Sequence, residues 1–185
     1  MGSEMCIRDR AERLEDLINE FFEITRFNIY DITLQYTKIN LTRLLEQLVY
    51  EFKPMLKSKN LQCNLCVDDD IMLRCDADKI QRVFDNLLRN AVIYSFENTD
   101  ITISAQCQED TVSIIFCNHG DTLPEEKLNR IFEQFYRLDA ARSTSSGGAG
   151  LGLAIAKQIV ELHNGTIVAE SQEDQNKFSI TLPLA

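Results

Sequence analysis

A two-layer α/β sandwich, with helices packed on one face of a mixed sheet, is the fold class this chain predicts. Three observations carry that expectation. Apolar residues recur at helical spacing over residues 41–57, 78–94 and 151–162. Alternating or β-branched runs occupy residues 61–67, 100–107, 111–116, 166–170 and 177–182. The two kinds of segment interleave along the chain, and no internal repeat divides it.

Residues 1–10, MGSEMCIRDR, stand outside the fold; they read as a translated sequencing-adaptor leader, which implies a natural protein extending further upstream. From residue 11 to about 28, Leu14, Leu17, Ile18, Phe21 and Phe22 follow the i, i+3, i+4, i+7, i+8 pattern of an amphipathic helix. That helix either packs on the domain or belongs to a separate helical unit spanning residues 11–30. An extended stretch near residues 32–39 leads to the helix over 41–57 and the strand over 61–67. Asp78 is the expected N-cap of the next helix, whose buried face is Ile80, Val83, Phe84, Leu87 and Leu88. Residues 100–107 and 111–116 form a β-hairpin across Gln108-Glu109-Asp110. Residues 139–150 are polar, rich in Ser and Gly and without apolar period, so a mobile loop is expected there, ordering when a ligand binds. A helix over 151–162, with Leu151, Ile155, Ile159 and Leu162 on its apolar face, precedes the two closing strands.

With 185 residues, 44% of them hydrophobic, the chain suits one domain plus an appendage. A net charge of −10 repels a phosphate backbone, so no nucleic-acid partner is expected. The longest apolar runs, such as residues 151–156, fall far short of the roughly 18 residues needed to span a bilayer, so no membrane contact is expected of this stretch of chain. Of the six cysteines, Cys63 and Cys66 have metal-like spacing. On a strand, however, residues three apart face opposite ways, and no second CxxC or nearby His completes a zinc set. Reduced thiols are the expected state.

Four motifs follow in order: Asn86-Leu87-Leu88-Arg89-Asn90, Asn118-His119-Gly120, Phe132-Glu133-Gln134-Phe135-Tyr136-Arg137 and Gly147-Gly148-Ala149-Gly150-Leu151-Gly152. Asn86 and Asn90, four apart, share one helix face, and Tyr94 lies one turn further on. An amide oxygen is a hard, neutral ligand that suits Mg²⁺. The glycine run is neither a P-loop nor a GxGxxG fingerprint, but it opens a helix, where backbone amides make an anion site.

In order and spacing these motifs resemble the N, G1, F and G2 boxes of the ATP-binding domain of bacterial sensor histidine kinases. The likeness covers roughly residues 11–185, and residues 136–157 are most similar to the vancomycin-resistance type. The resemblance implies the Bergerat ATP-binding fold over residues 31–185, with residues 11–30 the remnant of a second dimerisation helix. It implies ATP and Mg²⁺ as cofactors, with Asn90 the magnesium ligand and Asn86 its helper. Tyr94 stacks on adenine, Asn118 accepts from the adenine amino group, and Gly120 lets backbone approach the base. Gly148, Gly150, Leu151 and Gly152 cradle phosphates, and Arg137 and Arg142 bring positive charge to the γ-phosphate. Phe132 and Phe135 anchor the loop in the core, and His119 sits at the solvent edge.

The chain departs from the family pattern at three places. Ile93 stands where a phosphate-contacting Lys is common, with Arg89 either compensating or merely solvated. Asn118 replaces an Asp, so adenine meets a neutral acceptor, and Thr122 replaces a glycine. The reaction implied is transfer of the γ-phosphoryl of ATP to a histidine absent from this sequence, for relay to a response-regulator Asp. Neither His119 nor His163 has a phosphoacceptor context. The alternatives are a degenerate ATP- or ADP-binding module and an ATPase of the gyrase or Hsp90 kind. Asn86 argues against the latter, since an amide cannot act as a base for water. A cognate response regulator, a homodimeric full-length kinase and a cytoplasmic position in a membrane-anchored protein complete what the resemblance implies.

Overall fold

The computed structural model describes residue 18, residues 33–137 and residues 150–184. The expected helix over residues 11–28 therefore lies outside the described residues except at Ile18, and the expected loop over residues 139–150 lies outside them except at Gly150.

Among the described residues from 33 onward the first element is β1 (Thr37–Asn40), which runs directly into α1 (Leu41–Ser58); the Asn40 side chain caps that helix by accepting from the Arg43 N–H at 2.9 Å. After β2 (Gln62–Val67) come β3 (Met72–Cys75) and α2 (Ala77–Tyr94). β3 was not expected from the sequence; it pairs antiparallel with β1 in a separate two-stranded sheet. The cap of α2 is Asp76, not Asp78: Asp76 Oδ1 accepts from the Lys79 N–H at 3.2 Å, and Asp78 sits in the first turn, where an acidic residue complements the helix dipole. The difference has a long-range cause. The Asp76 N–H donates to His163 Nε2 at 3.0 Å, and its Oδ2 accepts from the Gln35 N–H at 3.0 Å.

β4 (Asp100–Gln108) and β5 (Thr111–His119) form the expected hairpin, turning through Glu109 and Asp110 alone, with Glu109 at φ +50°. A single-turn helix, α3 (Glu125–Leu128), then α4 (Gly152–Leu162), β6 (Thr166–Gln172) and β7 (Gln175–Pro183) complete the described chain. The main sheet has the order β2-β4-β5-β7-β6. β2 and β4 are parallel, which requires the crossover through α2, and the other pairs are antiparallel.

α1, α2 and α4 cover one face of this sheet. Their buried rows, such as Leu41, Leu45, Leu48 and Phe52 on α1 and Ile80, Val83, Phe84, Leu87 and Leu88 on α2, meet Ile101, Ile103, Val112, Ile114 and Phe116 from the sheet. The Phe84 and Phe116 rings lie 5.8 Å apart, both fully buried. Along β5 the inward positions read Val112, Ile114, Phe116, Asn118; along β7 they read Leu182, Ile180, Phe178, Asn176, and these are register partners in that order. Two adjacent apolar rows thus end side by side in asparagine.

Cys63 and Cys66 point to opposite faces of β2, Cys66 into solvent. Burial pushes the Cys63 thiol up to about 11, and burial, then the Asp76 carboxylate, pushes Cys75 up to about 12. Both thiols hold their protons more tightly in the fold than in the unfolded chain, so their stabilisation is complete below about pH 8.5 and is lost as pH rises through 11 to 12. Urea midpoints measured at pH 7 and pH 10.5 should fall more for the parent than for a Cys63→Val/Cys75→Val double variant. An equal fall would locate the alkaline sensitivity elsewhere.

Candidate functional site

A cavity of about 410 Å³ opens between the C-terminal half of α2, the first turn of α4, the ends of β5 and β7, and α3. α2 contributes Asn90, Ile93 and Tyr94; β5 contributes Asn118; β7 contributes Asn176 and Phe178; α4 contributes Leu153. The size and the walls of mixed polar and apolar character suit one small organic ligand that carries both kinds of surface.

The end of α2 is held firmly. The Ser95 N–H and hydroxyl donate to the Ala91 carbonyl at 2.9 and 2.6 Å, and Lys59 Nζ donates to the carbonyls of Ile93 and Ser95 at 2.6 and 3.3 Å. These groups satisfy helix-end carbonyls that have no partner within the helix. Beyond the helix, the Phe96 N–H donates to the His119 carbonyl at 2.8 Å, which fixes Tyr94 beside the end of β5. Gly120 is required there: a Cβ on it would collide with the Tyr94 carbonyl oxygen.

Asn118 is 2% exposed and Asn176 7%. The Asn176 amide donates to the Asp121 carbonyl at 3.3 Å, while its Oδ1 and the Asn118 Nδ2 are buried without a partner among the described residues. Orphaned polar atoms in a buried setting cost roughly 1–3 kcal/mol each, a cost offset when a ligand supplies the missing bonds. His119 lies at the edge, its Nδ1 3.2 Å from the Asp100 carbonyl oxygen, as expected. Thr122 fills the place of a glycine by clamping the β6–β7 turn: its hydroxyl donates to Asp174 Oδ1 at 3.1 Å and accepts from the Asp174 N–H at 2.9 Å.

The expected residues divide into two groups. Asn90, Tyr94 and Asn118 meet at the cavity, with Gly120 at its wall. Asn86 does not face it: its Nδ2 donates to the Gly152 carbonyl at 3.0 Å, which ties α2 to the first turn of α4. Arg89 turns away altogether, its guanidinium 5.6 Å above the Phe52 ring and one Nη 3.8 Å from Met55 Sδ, both on α1. Asp85 also lies on that side, where burial and then Glu51 raise its pKa against the opposing pull of Arg89 and Arg82.

Leu151 is buried and has no side-chain cap to offer, so the amide groups that open α4 carry no side-chain partner from that position. Gly150, at φ +77°, accepts from the Phe135 N–H at 3.0 Å, and a Cβ on it would lie 3.1 Å from Arg137 Cγ. The third motif and the end of the glycine run are therefore in contact. Phe132 packs edge-on to Phe178 with centroids 6.4 Å apart, as a core anchor should. Phe135 is a correction: it is 57% exposed with φ +64°, because its backbone is committed to Gly150 and turns the ring outward. Arg142 and Gly148 lie outside the described residues.

Asn176 escaped the sequence reading. Its signal was a polar residue at the inward position of a strand whose next inward residues are Phe178, Ile180 and Leu182.

A family model described as "Histidine kinase-, DNA gyrase B-, and HSP90-like ATPase" matches residues 75–185. The sensor protein VanS of Enterococcus faecium is 50% identical over 175 residues, covering 95% of this chain and 45% of that protein. The chain thus spans about half the length of such relatives. Among solved structures, the catalytic domain of the histidine kinase ThkA is 27% identical with a TM-score of 0.74, over 82% of this chain and 97% of that one. ThkA in complex with the response regulator TrrA matches at 26% identity and TM-score 0.79, over 97% of this chain and 50% of that one.

Proposed function

Because the chain belongs to the histidine kinase-, DNA gyrase B- and HSP90-like ATPase family, we propose that it is the catalytic, ATP-binding part of a two-component sensor histidine kinase. It passes the γ-phosphoryl of Mg·ATP to a histidine on a separate helical unit, and the phosphoryl moves on to an aspartate of a response regulator. The observation that supports this most is the gathering of Asn90, Tyr94 and a buried, unpaired Asn118 around one cavity of nucleotide size. The likeness to VanS, and to a ThkA structure that holds a response regulator, supports the relay.

In this reading Asn118 meets the base edge, Tyr94 stacks on the ring, and Gly120 keeps the wall thin enough for the base to approach. Asn90 offers an amide oxygen to Mg²⁺, which when bound spreads and neutralises the triphosphate charge. The open amides at the start of α4, with Gly148, Gly150, Leu151 and Gly152, receive phosphate oxygens, and Arg137 and Arg142 approach the γ-phosphate. Asn86 serves by holding that first turn of α4 in place, and as an amide it takes no proton from water. Residues 11–30 then belong to the dimerisation unit of a homodimeric kinase anchored in the membrane, with this part on the cytoplasmic side.

The phosphoryl acceptor is not among the histidines of this chain, for a physical reason. His163 is 2% exposed, with Nδ1 donating to the Ile159 carbonyl at 2.7 Å and Nε2 accepting from the Asp76 N–H. His119 is tied at the edge of the sheet. Incubated with γ-labelled ATP and Mg²⁺, the 185-residue chain should therefore acquire no acid-labile label. Addition of the acceptor hairpin of a related kinase should yield phosphohistidine on the hairpin, weakly, because the covalent link that raises effective concentration is absent. Acid-labile label on the isolated chain would overturn the acceptor assignment. Binding without transfer would indicate a non-catalytic module, and rapid phosphate release would indicate an ATPase.

A further inference from the structure

We infer that the free edge of β6 is a docking site for an extended segment of a partner protein, one that alternates basic and apolar residues and adds a strand to the sheet. This is independent of the nucleotide site and names a second kind of partner. β6 ends the main sheet, with β7 on one side and no strand on the other among the described residues. Its hairpin with β7 turns through Glu173 and Asp174, at φ +52° and +57°, the two-residue turn whose flanking pair, here Gln172 and Gln175, exchanges both backbone bonds. Counting back by twos, Glu170, Val168 and Thr166 also bond to β7, which leaves the N–H and C=O groups of Ile167, Ala169 and Ser171 directed away from the sheet. None of these groups has a backbone partner among the described residues.

Exposed edges are ordinarily blunted by lysine, proline or a bulge, yet β6 contains neither residue and keeps continuous register with β7 from Thr166 to Gln172. The edge is open and regular. A groove of about 590 Å³ wraps it, walled by Leu123, Leu128 and Ala169 and carrying the carboxylates of Glu125, Glu170 and Glu173. The Leu123 N–H donates to the Ser171 hydroxyl at 2.7 Å, so the α3 side of the groove is tied to the Ser171 side chain and its backbone stays free. Along β6, Ala169 and Ser171 face α3, whereas Val168 and Glu170 face the outer side of the sheet. A strand laid on this edge alternates in the same way: one set of its side chains meets Leu123 and Leu128, the other meets Glu170. Apolar residues suit the first set and basic residues the second. Glu125 and Glu173 add to the negative field, against one lining cation, Lys177, the register partner of Glu170. The net charge of −10 favours the same partner over an acidic one. In such strand addition the main-chain bonds supply affinity and the alternate side chains supply specificity.

Amide hydrogen exchange of the full 185-residue chain, measured without nucleotide at low micromolar concentration, tests this. The probes are a peptide of alternating lysine and valine as long as β6, its fully N-methylated form, and its counterpart with glutamate for lysine. The lysine peptide should slow exchange at Ala169 and Ser171 by about tenfold at saturation, and the other two should bind about tenfold more weakly or less. A Glu125→Gln/Glu170→Gln variant should bind the lysine peptide about tenfold more weakly and with a smaller salt dependence. Ala169→Pro removes an edge N–H that makes no bond to β7, so it should abolish binding while the exchange of β7 amides stays as in the parent. No slowing with about 1 mM lysine peptide overturns the inference. So does protection confined to other strands, equal binding of the glutamate peptide, or equal binding by Ala169→Pro. Protection of these amides in the free chain that persists on dilution would mean that the chain itself covers the edge, and protection that rises with concentration would mean that a second copy does; either overturns the partner assigned here. If Ala169→Pro fails to fold, the N-methylated peptide decides, because it removes the same bonds from the other side.

Discussion

Replacement of Asn90 by alanine is expected to weaken Mg·AMPPNP binding by about a hundredfold while leaving the fold intact, since loss of a hydrogen bond or ligand contact to a charged group amounts to roughly 1.5–3 kcal/mol. The side chain is half-buried at the cavity and makes no hydrogen bond to other described residues, so its removal breaks nothing that holds α2. The helix is secured instead by its buried row and by the Lys59 and Ser95 bonds at its end. Titration with and without Mg²⁺ isolates the role: chelation should lower the affinity of the parent strongly and that of Asn90→Ala little. Equal affinity of parent and variant in Mg²⁺ would remove Asn90 from the metal site. The thermal midpoint should move by no more than about 2 °C, as for a substitution that opens no cavity and orphans no group.

Gly120→Ala should do the reverse, and damage the fold and the site together. The added methyl group would occupy the space of the Tyr94 carbonyl oxygen, which belongs to backbone and cannot swing aside as a side-chain end would. Relief requires the end of α2 to part from β5, at the expense of the Phe96 to His119 backbone bond, and Tyr94 moves with it. Overpacking of this kind costs about 1–3 kcal/mol, and the urea midpoint should fall accordingly. Gly152→Ala is the internal control. There a Cβ meets the Asn86 side chain, with Oδ1 nearest at 3.3 Å, a contact that a few tenths of an ångström of side-chain movement relieves. Comparable destabilisation by the two substitutions would show that the Tyr94 contact is not the cause.

Much of this arrangement was legible beforehand because period is a local property. α1, α2 and α4 each bury a stripe that the spacing of Leu, Ile, Val and Phe announces, and the β4–β5 hairpin announces itself by alternation. Asn90 and Tyr94 follow from Asn86 by helix geometry, whereas Asn118 stood out through the resemblance of Asn118-His119-Gly120 to a family motif, beyond the strand expected over residues 111–116. Features that depend on distant partners were not legible. β3 is four residues long and exists because β1 pairs with it. α3 is one turn, begun by Pro124, whose carbonyl accepts from the N–H groups of Lys127 and Leu128. Asp76 outcompetes Asp78 as a cap through bonds to His163 and Gln35, 87 and 41 residues away along the chain. Asn176 hides in the run Gln175-Asn176-Lys177, which reads as turn until β5 shows which way each side chain faces. Arg89 leaves the cavity because Phe52 and Met55, on another helix, give its guanidinium a surface to lie on.

The cluster around Asp76 has a mechanical consequence. The incoming chain is bolted there by the Gln35 bond, by Tyr36 packed edge-on to His163 at 5.6 Å, and by Arg74 over the Tyr36 ring at 5.7 Å. The same bolt passes through the first residue before α2 and the C-cap of α4, so two antiparallel rods share one pivot. α2 has 18 residues and hence a lever arm of about 27 Å at 1.5 Å per residue. Its far end carries Asn90 and Tyr94, and the Asn86 to Gly152 bond braces it against the start of α4. A rod pivoted at one end converts a small rotation into a larger displacement at the other. A rotation of one or two degrees about this pivot would thus sweep the Tyr94 end of α2 by about half an ångström to one ångström, a distance comparable to the tolerance of a hydrogen bond. The brace makes α2 and the start of α4 travel together, so their displacement changes the distance to the opposite walls at the ends of β5 and β7 without breaking the contact between the two helices.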